Sequence, residues 1–198
     1  SMLTYGTYLT GCKLVSGKVW CWIMERKSSP LGAIYAEIEK AIEAQLWYAA
    51  ITIAVALPDI CSTLEGAGRT NWQTYKDWFD RNAATRFSNF GKHECYELRC
   101  GVMHNGVFQG GVDKRSEFEG VYFLPPGSRI LLNDTIMDNI GGRKGPFLIM
   151  SVVPFCEAMI AIVKDWEVVH QDDEIVATNM EKLVRVRPEG LPPLIVGL

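Results

Sequence analysis

Apolar side chains recur at helical spacing along most of the chain. Ile34, Ile38, Ile42, Leu46, Ala49 and Ile53 fall near one stripe, while Glu37, Glu39, Lys40 and Glu43 lie largely off it. Ser28 or Ser29 can cap this run and Pro30 suits its first turn, which predicts a helix from Ser29 to about Leu57. Pro58 lacks an N–H and its ring clashes with the preceding turn, so a break or kink is expected there. ICSTLEG then continues as a second helical piece ending at Gly66. Thr70 or Asn71 can cap a third helix, NWQTYKDWFDRNA, with Trp72, Tyr75, Trp78 and Phe79 at helical spacing. After the polar loop TRFSNFGK, the segment HECYELRCGVMHNG predicts a fourth. Tyr96, Cys100 and Met103 share one side of it, and Asn105-Gly106 stops it. The strongest late pattern runs from Val152 to His170, with Phe155, Met159, Ile162, Val163 and Trp166 on the apolar face. A shorter helix is expected from Asp173 to Val184.

Two regions break the helical period. GVYFL (120–124), followed by PPG and RILL, reads as a short hairpin, and residues 147–151 as another strand. Between them NDTIMDNIGGRKG reads as a polar excursion. Residues 1–28 differ again: KLVSGKVWCW has a Ser-Gly turn between β-prone runs, so this N-terminal extension reads as a hairpin or as a loosely attached arm. The tail RPEGLPPLIVGL, with three prolines, is expected to be irregular. The whole predicts a mainly α fold: a four-to-five-helix bundle with a small β-hairpin insertion, in a single domain over residues 29–198. The aromatics Trp72, Trp78, Phe155 and Trp166 are expected in its core.

Composition narrows the class. The chain has 198 residues, is 48% hydrophobic and 22% charged, and carries a net charge of −3. That suits a soluble globular protein without a global basic surface for nucleic acid, though it leaves room for a local cationic patch. Six cysteines form no CxxC pair, and several sit in apolar, helical sequence, where a thiol acts as a small hydrophobe. Reduced, buried cysteines imply a cytoplasmic protein. The run Trp47 to Leu57 is apolar but about half the length of a bilayer span, so no membrane partner is expected.

Arg99 and His104 are the candidates for chemistry. Five residues on an ideal helix separate their directions by about 140°, so spacing alone does not force them together. Arginine grips phosphate oxygens through its planar fork, and histidine moves protons near neutral pH. The bland alternative is a surface ion pair for Arg99 and a helix-end role for His104. Asp59, just after Pro58, can orient Arg99 or cap the second helical piece. Tyr96, one turn before Arg99, lines the same cleft or stays half-buried in the core. Asn105, beside His104, joins Asp59 and Tyr96 as a substrate-binding position. GGRKG (141–145) is basic but lacks the P-loop pattern. His93 and His170 are isolated, and neither a metal site nor a cofactor is expected.

ELRCGVMHNG resembles the R-x(4–6)-H signature of HEPN domains. The blocks ALPDICSTLEG, YKDWFDRN, CYELRCGVMHNG and FCEAMIAIVKDW, in that order, resemble a group of bacterial HEPN-like proteins over roughly residues 30–170. The resemblance implies a helical bundle, often a homodimer, with Arg99 binding phosphate and His104 transferring a proton near the dimer cleft. It implies a metal-independent endoribonuclease acting on RNA, of the kind found in toxin–antitoxin and phage-defence systems, with an antitoxin protein as partner. The alternative is a catalytically inactive module that binds a nucleotide or a protein. Active members commonly carry Asn, Asp or His after the arginine. Here that position is Cys100, which favours the alternative.

Overall fold

Ser29 opens the first helix as expected, its hydroxyl accepting the Leu31 N–H at 3.2 Å ahead of Pro30. The computed structural model describes residues 12–15, 18–21, 29–106, 116–128, 132–186, 190–191 and 195–196. Side chains are described within the three longest stretches, apart from Ala67 and Asn105. Two short strands, β1 (Cys12–Val15) and β2 (Lys18–Cys21), pair antiparallel, as the KLVSGKVWCW pattern suggests.

Helix α1 (Pro30–Glu43) ends far earlier than the stripe predicts. Gln45 takes a left-handed φ of 58°. The Leu46 N–H reaches the Ala41 carbonyl at 2.8 Å and the Gln45 N–H reaches Ile42 at 3.0 Å, which together close the helix end. This is the 6→1 and 5→2 bonding of a Schellman turn, with glutamine where glycine is usual. The chain folds back and starts α2 (Trp47–Ser62), which packs against α1. Pro58 lies inside α2 and does not end it. A proline inside a helix costs about 3 kcal/mol. Burial of Val55, Leu57 and Cys61 around it offsets that cost. The expected second helical piece is only a wide last turn, Thr63–Ala67, closed by Gly66 at φ 90°.

With that turn, Trp47–Gly66 reaches 20 residues, long and apolar enough by length and composition alone to cross a membrane. The run is therefore not half a span, as the sequence suggested, because Pro58 fails to cut it. Here it serves as a core helix on which α1, α3, α4 and α5 all pack.

Asn71 caps α3 (Trp72–Asn82) through a reciprocal box with Thr74. Tyr75, Trp78 and Phe79 are buried as predicted. Trp72 is 46% exposed, a correction to the expected core, since a residue in the first turn projects past the partner helices. Helix α4 (Lys92–Cys100) runs into a wide turn, Gly101–Asn105, and stops at Gly106 with φ 68°. Asp134 ties the loop before α4 to the sheet, its carboxylate accepting the N–H groups of Ser88, Asn89 and Phe90.

Strands β3 (Gly120–Leu124), β4 (Thr135–Ile140) and β5 (Arg143–Ser151) form one sheet in the order β3-β5-β4. GVYFL pairs in parallel with β5, and most of the RILL run expected to partner it lies outside the described residues. The "polar excursion" supplies β4, joined to β5 by Gly141 and Gly142 at φ 60° and 83°. A two-residue turn with both φ values positive matches strand twist and favours glycine. Strand β4 is mostly exposed, Ile136 and Met137 included, so it lacks the apolar/polar alternation that would mark it as a strand. Phe147 to Met150 are buried, and β5 passes directly into α5 (Val152–Val169).

Trp78 and Trp166 meet edge to face at 6.5 Å in the core. Helix α6 (Glu174–Met180) is capped by Asp173 and ends short of Val184. The tail also departs from expectation: β6 (Gly190–Leu191) and β7 (Ile195–Val196) pair antiparallel. The described part is mainly helical with a small three-stranded sheet.

Candidate functional site

Because α2 continues through Pro58, Asp59 lies inside its last turn and faces α4. The N-cap alternative for it therefore falls. The Arg99 Nε donates to Asp59 Oδ2 at 2.7 Å, with the two side chains 25% and 21% exposed. The Asp59 backbone is pinned as well: its carbonyl accepts the hydroxyls of Ser62 (3.2 Å), Thr63 (2.8 Å) and Thr70 (3.0 Å).

Arg99 Nη1 lies 3.4 Å from His104 Nε2, and this end of the site is exposed. The regular-helix objection to that meeting is removed by the wide turn. The Gly106 N–H bonds five residues back to the Gly101 carbonyl at 2.6 Å. When bonds run from i+5 to i, a turn takes more residues, and the side chain five positions on comes back toward the first. Gly101 and Gly106 are the local signal for this, one at each end of the turn.

The Arg99 guanidinium is partly desolvated, which works against its charge. The hydrogen bond and charge of Asp59, with Cys100 beside it, outweigh this and raise its pKa. Burial, then the Cys100 thiol, pushes the Tyr96 phenol up to about 12, with Arg99 opposing and Asp59 adding to the rise. Tyr96 is thus a protonated hydrogen-bond donor at neutral pH. It touches Tyr75 edge to face at 5.4 Å, and Lys76 Nζ sits 4.9 Å above its ring. Cys100 lies close enough to shift the proton affinity of both Arg99 and Tyr96.

The structure therefore brings together Asp59, Tyr96, Arg99 and His104. The side chain of Asn105 lies outside the described residues. Lys76 escaped sequence reasoning: it is buried, between the Trp72 ring at 5.4 Å and that of Tyr96. Its i, i+4 spacing from Trp72 was the only available signal. His170 stacks on Trp166 at 4.7 Å. Among the described residues, no three of His, Cys, Asp and Glu converge as metal ligands would. Arg143, from the GGRKG turn, donates to the Tyr122 hydroxyl at 3.3 Å.

Chemically, an arginine anchored through Nε keeps its terminal nitrogens for an anion. The His104 imidazole stands 3.4 Å from that arginine, which places a proton-transfer group beside an anion-binding one. The chain matches no protein-family model, no curated protein and no solved structure.

Proposed function

We propose that the protein is an HEPN-type endoribonuclease that cleaves RNA without a metal ion. One observation carries the reading: Arg99, held by Asp59, and His104 meet at an exposed helix end. In this mechanism Arg99 binds the scissile phosphate. His104 takes the proton of the ribose 2′-hydroxyl, whose oxygen attacks the phosphorus. The bond to the 5′-oxygen breaks, and that oxygen leaves with the proton returned by the imidazolium. The products are a 2′,3′-cyclic phosphate and a 5′-hydroxyl. Arg99 stabilises the charge that gathers on phosphorus oxygens in the transition state. Two copies facing each other across a twofold would pair their sites in one cleft, the arrangement of a homodimeric toxin or phage-defence nuclease held by an antitoxin protein.

The test is RNA cleavage by the full chain and by His104→Ala, each with a chelator present. Wild-type cleavage into cyclic-phosphate ends, lost in His104→Ala, is expected. Equal cleavage in both removes His104 from the mechanism.

A second reading is a catalytically inactive HEPN-like module that binds a nucleotide or a protein. Cys100 favours it, because a thiol replaces the more polar residue usual after the arginine. Absence of cleavage of every RNA tried, with no growth arrest on expression, would select it.

A further inference from the structure

Side chains alternate sides along a strand, so when Leu148 and Met150 of β5 enter the helical core, Phe147 and Ile149 face the other way. A sheet with one face on a core and one in water ordinarily turns polar residues outward. Here the outward pair is apolar, and Phe147 and Ile149 are only 1% and 3% exposed. Strand register continues the apolar surface to both neighbours: Tyr122 of β3 lies against Ile149, and Met137 of β4 against Phe147.

A cavity of about 480 Å³ opens on this face, walled by Tyr122, Leu124, Leu132, Met137, Ile140 and Ile149. The volume lies in the range of small-ligand sites, roughly 300–1,000 Å³. Its two polar side chains are already engaged by the chain. The Ser128 hydroxyl donates to the Pro125 carbonyl at 2.8 Å, and Asn139 Oδ1 accepts the Gly142 N–H at 3.2 Å. The wall offered to a ligand is therefore mostly aliphatic.

A cation touches that wall. Arg143 Nη1 donates to the hydroxyl of Tyr122 at 3.3 Å, and its guanidinium lies 5.5 Å over the Phe147 ring on the same face. Gly141 also lines the cavity, so the GGRKG turn forms part of its edge. Among the described residues, neither Arg143 nor Lys144 pairs with a carboxylate. A guanidinium has five donors, and one phenol oxygen uses a single one of them.

We propose that this cavity binds a straight-chain fatty acid, its chain against Leu124, Met137 and Ile149 and its carboxylate on Arg143. Branched aliphatic side chains and an adaptable methionine suit a flexible hydrocarbon without directed hydrogen bonds. A planar carboxylate matches the arginine fork. The arginine on the wall favours this amphiphile over an uncharged apolar molecule. It also disfavours a second copy, which would bring its own Arg143 and Lys144 to the same patch. The cavity shares no residue with the Arg99–His104 site and does not depend on the nuclease reading.

The test is isothermal titration of the full chain with decanoate below its micelle concentration, and with decanol. Saturable binding of decanoate is expected. Arg143→Gln should weaken decanoate about fivefold and leave decanol unchanged, since only the carboxylate loses a partner. Met137→Asp should abolish binding of both, because a carboxylate then stands in the apolar wall. Arg143 is exposed and Met137 is 38% exposed, so neither replacement threatens folding, which melting temperatures check. Absence of saturable decanoate binding overturns the proposal. So does decanoate affinity unchanged in Arg143→Gln, an equal loss of decanoate and decanol in that variant, or full decanoate binding by Met137→Asp. Two other outcomes overturn it in favour of a different occupant. Self-association that Met137→Asp abolishes, in a wild-type protein that takes up no decanoate, assigns the face to a second copy. Binding to phosphatidylglycerol vesicles without binding of monomeric decanoate assigns it to a membrane surface.

Discussion

Arg99 reaches across from α4 to α2, and its Nε donates to Asp59 Oδ2 at 2.7 Å over a separation of 40 residues. This ion pair fixes the guanidinium on one side and leaves its terminal nitrogens toward His104. Exposed ion pairs contribute little to stability, and this one is only three-quarters buried, so its main effect is orientation. Asp59→Asn keeps a hydrogen-bond acceptor and removes the charge. It should lower kcat/KM for RNA cleavage about tenfold, equivalent to about 1.4 kcal/mol, while the melting temperature barely moves. Arg99→Lys, lacking the fork, should lower it further. A normal kcat/KM for Asp59→Asn would show that the pair does not position Arg99.

The wide turn that brings His104 round depends on Gly106. Its φ of 68° is strained for any residue with a Cβ, although space around it is open. Gly106→Ala should cost about 1 kcal/mol in urea unfolding. If the turn sets the Arg99–His104 geometry, cleavage should fall by more than the loss of folded protein explains, measured on the same preparation.

Gln45 is the opposite case. It occupies a left-handed position that glycine takes without steric penalty. Gln45→Gly should raise stability by about 0.5–1 kcal/mol, read as a higher urea midpoint with an unchanged slope. A lower midpoint would mean that α1 and α2 are not separated by this turn in solution.

Alkali should weaken the fold through buried thiols. Burial pushes both Cys95 and Cys156 from an ordinary 9.0 up to about 12, with Tyr75 opposing the rise at Cys95 and Glu157 adding to it at Cys156. The folded state thus holds these protons more tightly than the unfolded chain does. Their contribution is complete below pH 9 and is lost as pH rises through about 12. Unfolding free energy should fall over that window, and Cys156→Ala should make the fall shallower. An equal slope in the variant would refute the assignment for Cys156.

Cys100 is partly exposed, whereas Cys61, Cys95 and Cys156 are buried. Of these four, Cys100 should react first with N-ethylmaleimide in the folded protein, as read by peptide mass mapping. Phosphate-rich oligonucleotide bound at Arg99 should slow that labelling. Labelling of Cys95 before Cys100 would contradict the packing of α4.

Several elements were legible because their signals are local. Asn71, one of two candidate caps for α3, Pro30 after Ser29, and Gly106 after the Arg99–His104 segment mark helix ends through chemistry within a few residues. Of the four aromatics expected in the core, Trp78, Phe155 and Trp166 are buried and Trp72 is not. The segment around Gln45 carried no such mark, since glutamine is an ordinary helix residue and the stripe runs on through it. Strand β4 was hidden for a related reason: its exposed side chains look like loop until β5 supplies the backbone partners.

The amino-acid order by itself determined which stretches are helical, where most of them start and stop, and that an arginine and a histidine stand five apart near a glycine stop. Those properties follow from side-chain period and from capping groups close in the chain. Tertiary structure decided the rest. Packing on four neighbouring helices kept Pro58 inside α2, which turned Asp59 from a supposed cap into the anchor of Arg99. The wide turn at Gly101–Asn105 converted an awkward helical angle into a 3.4 Å contact between Arg99 and His104. Burial energy summed over distant residues outweighs a local penalty of a few kcal/mol, and no local pattern records that sum.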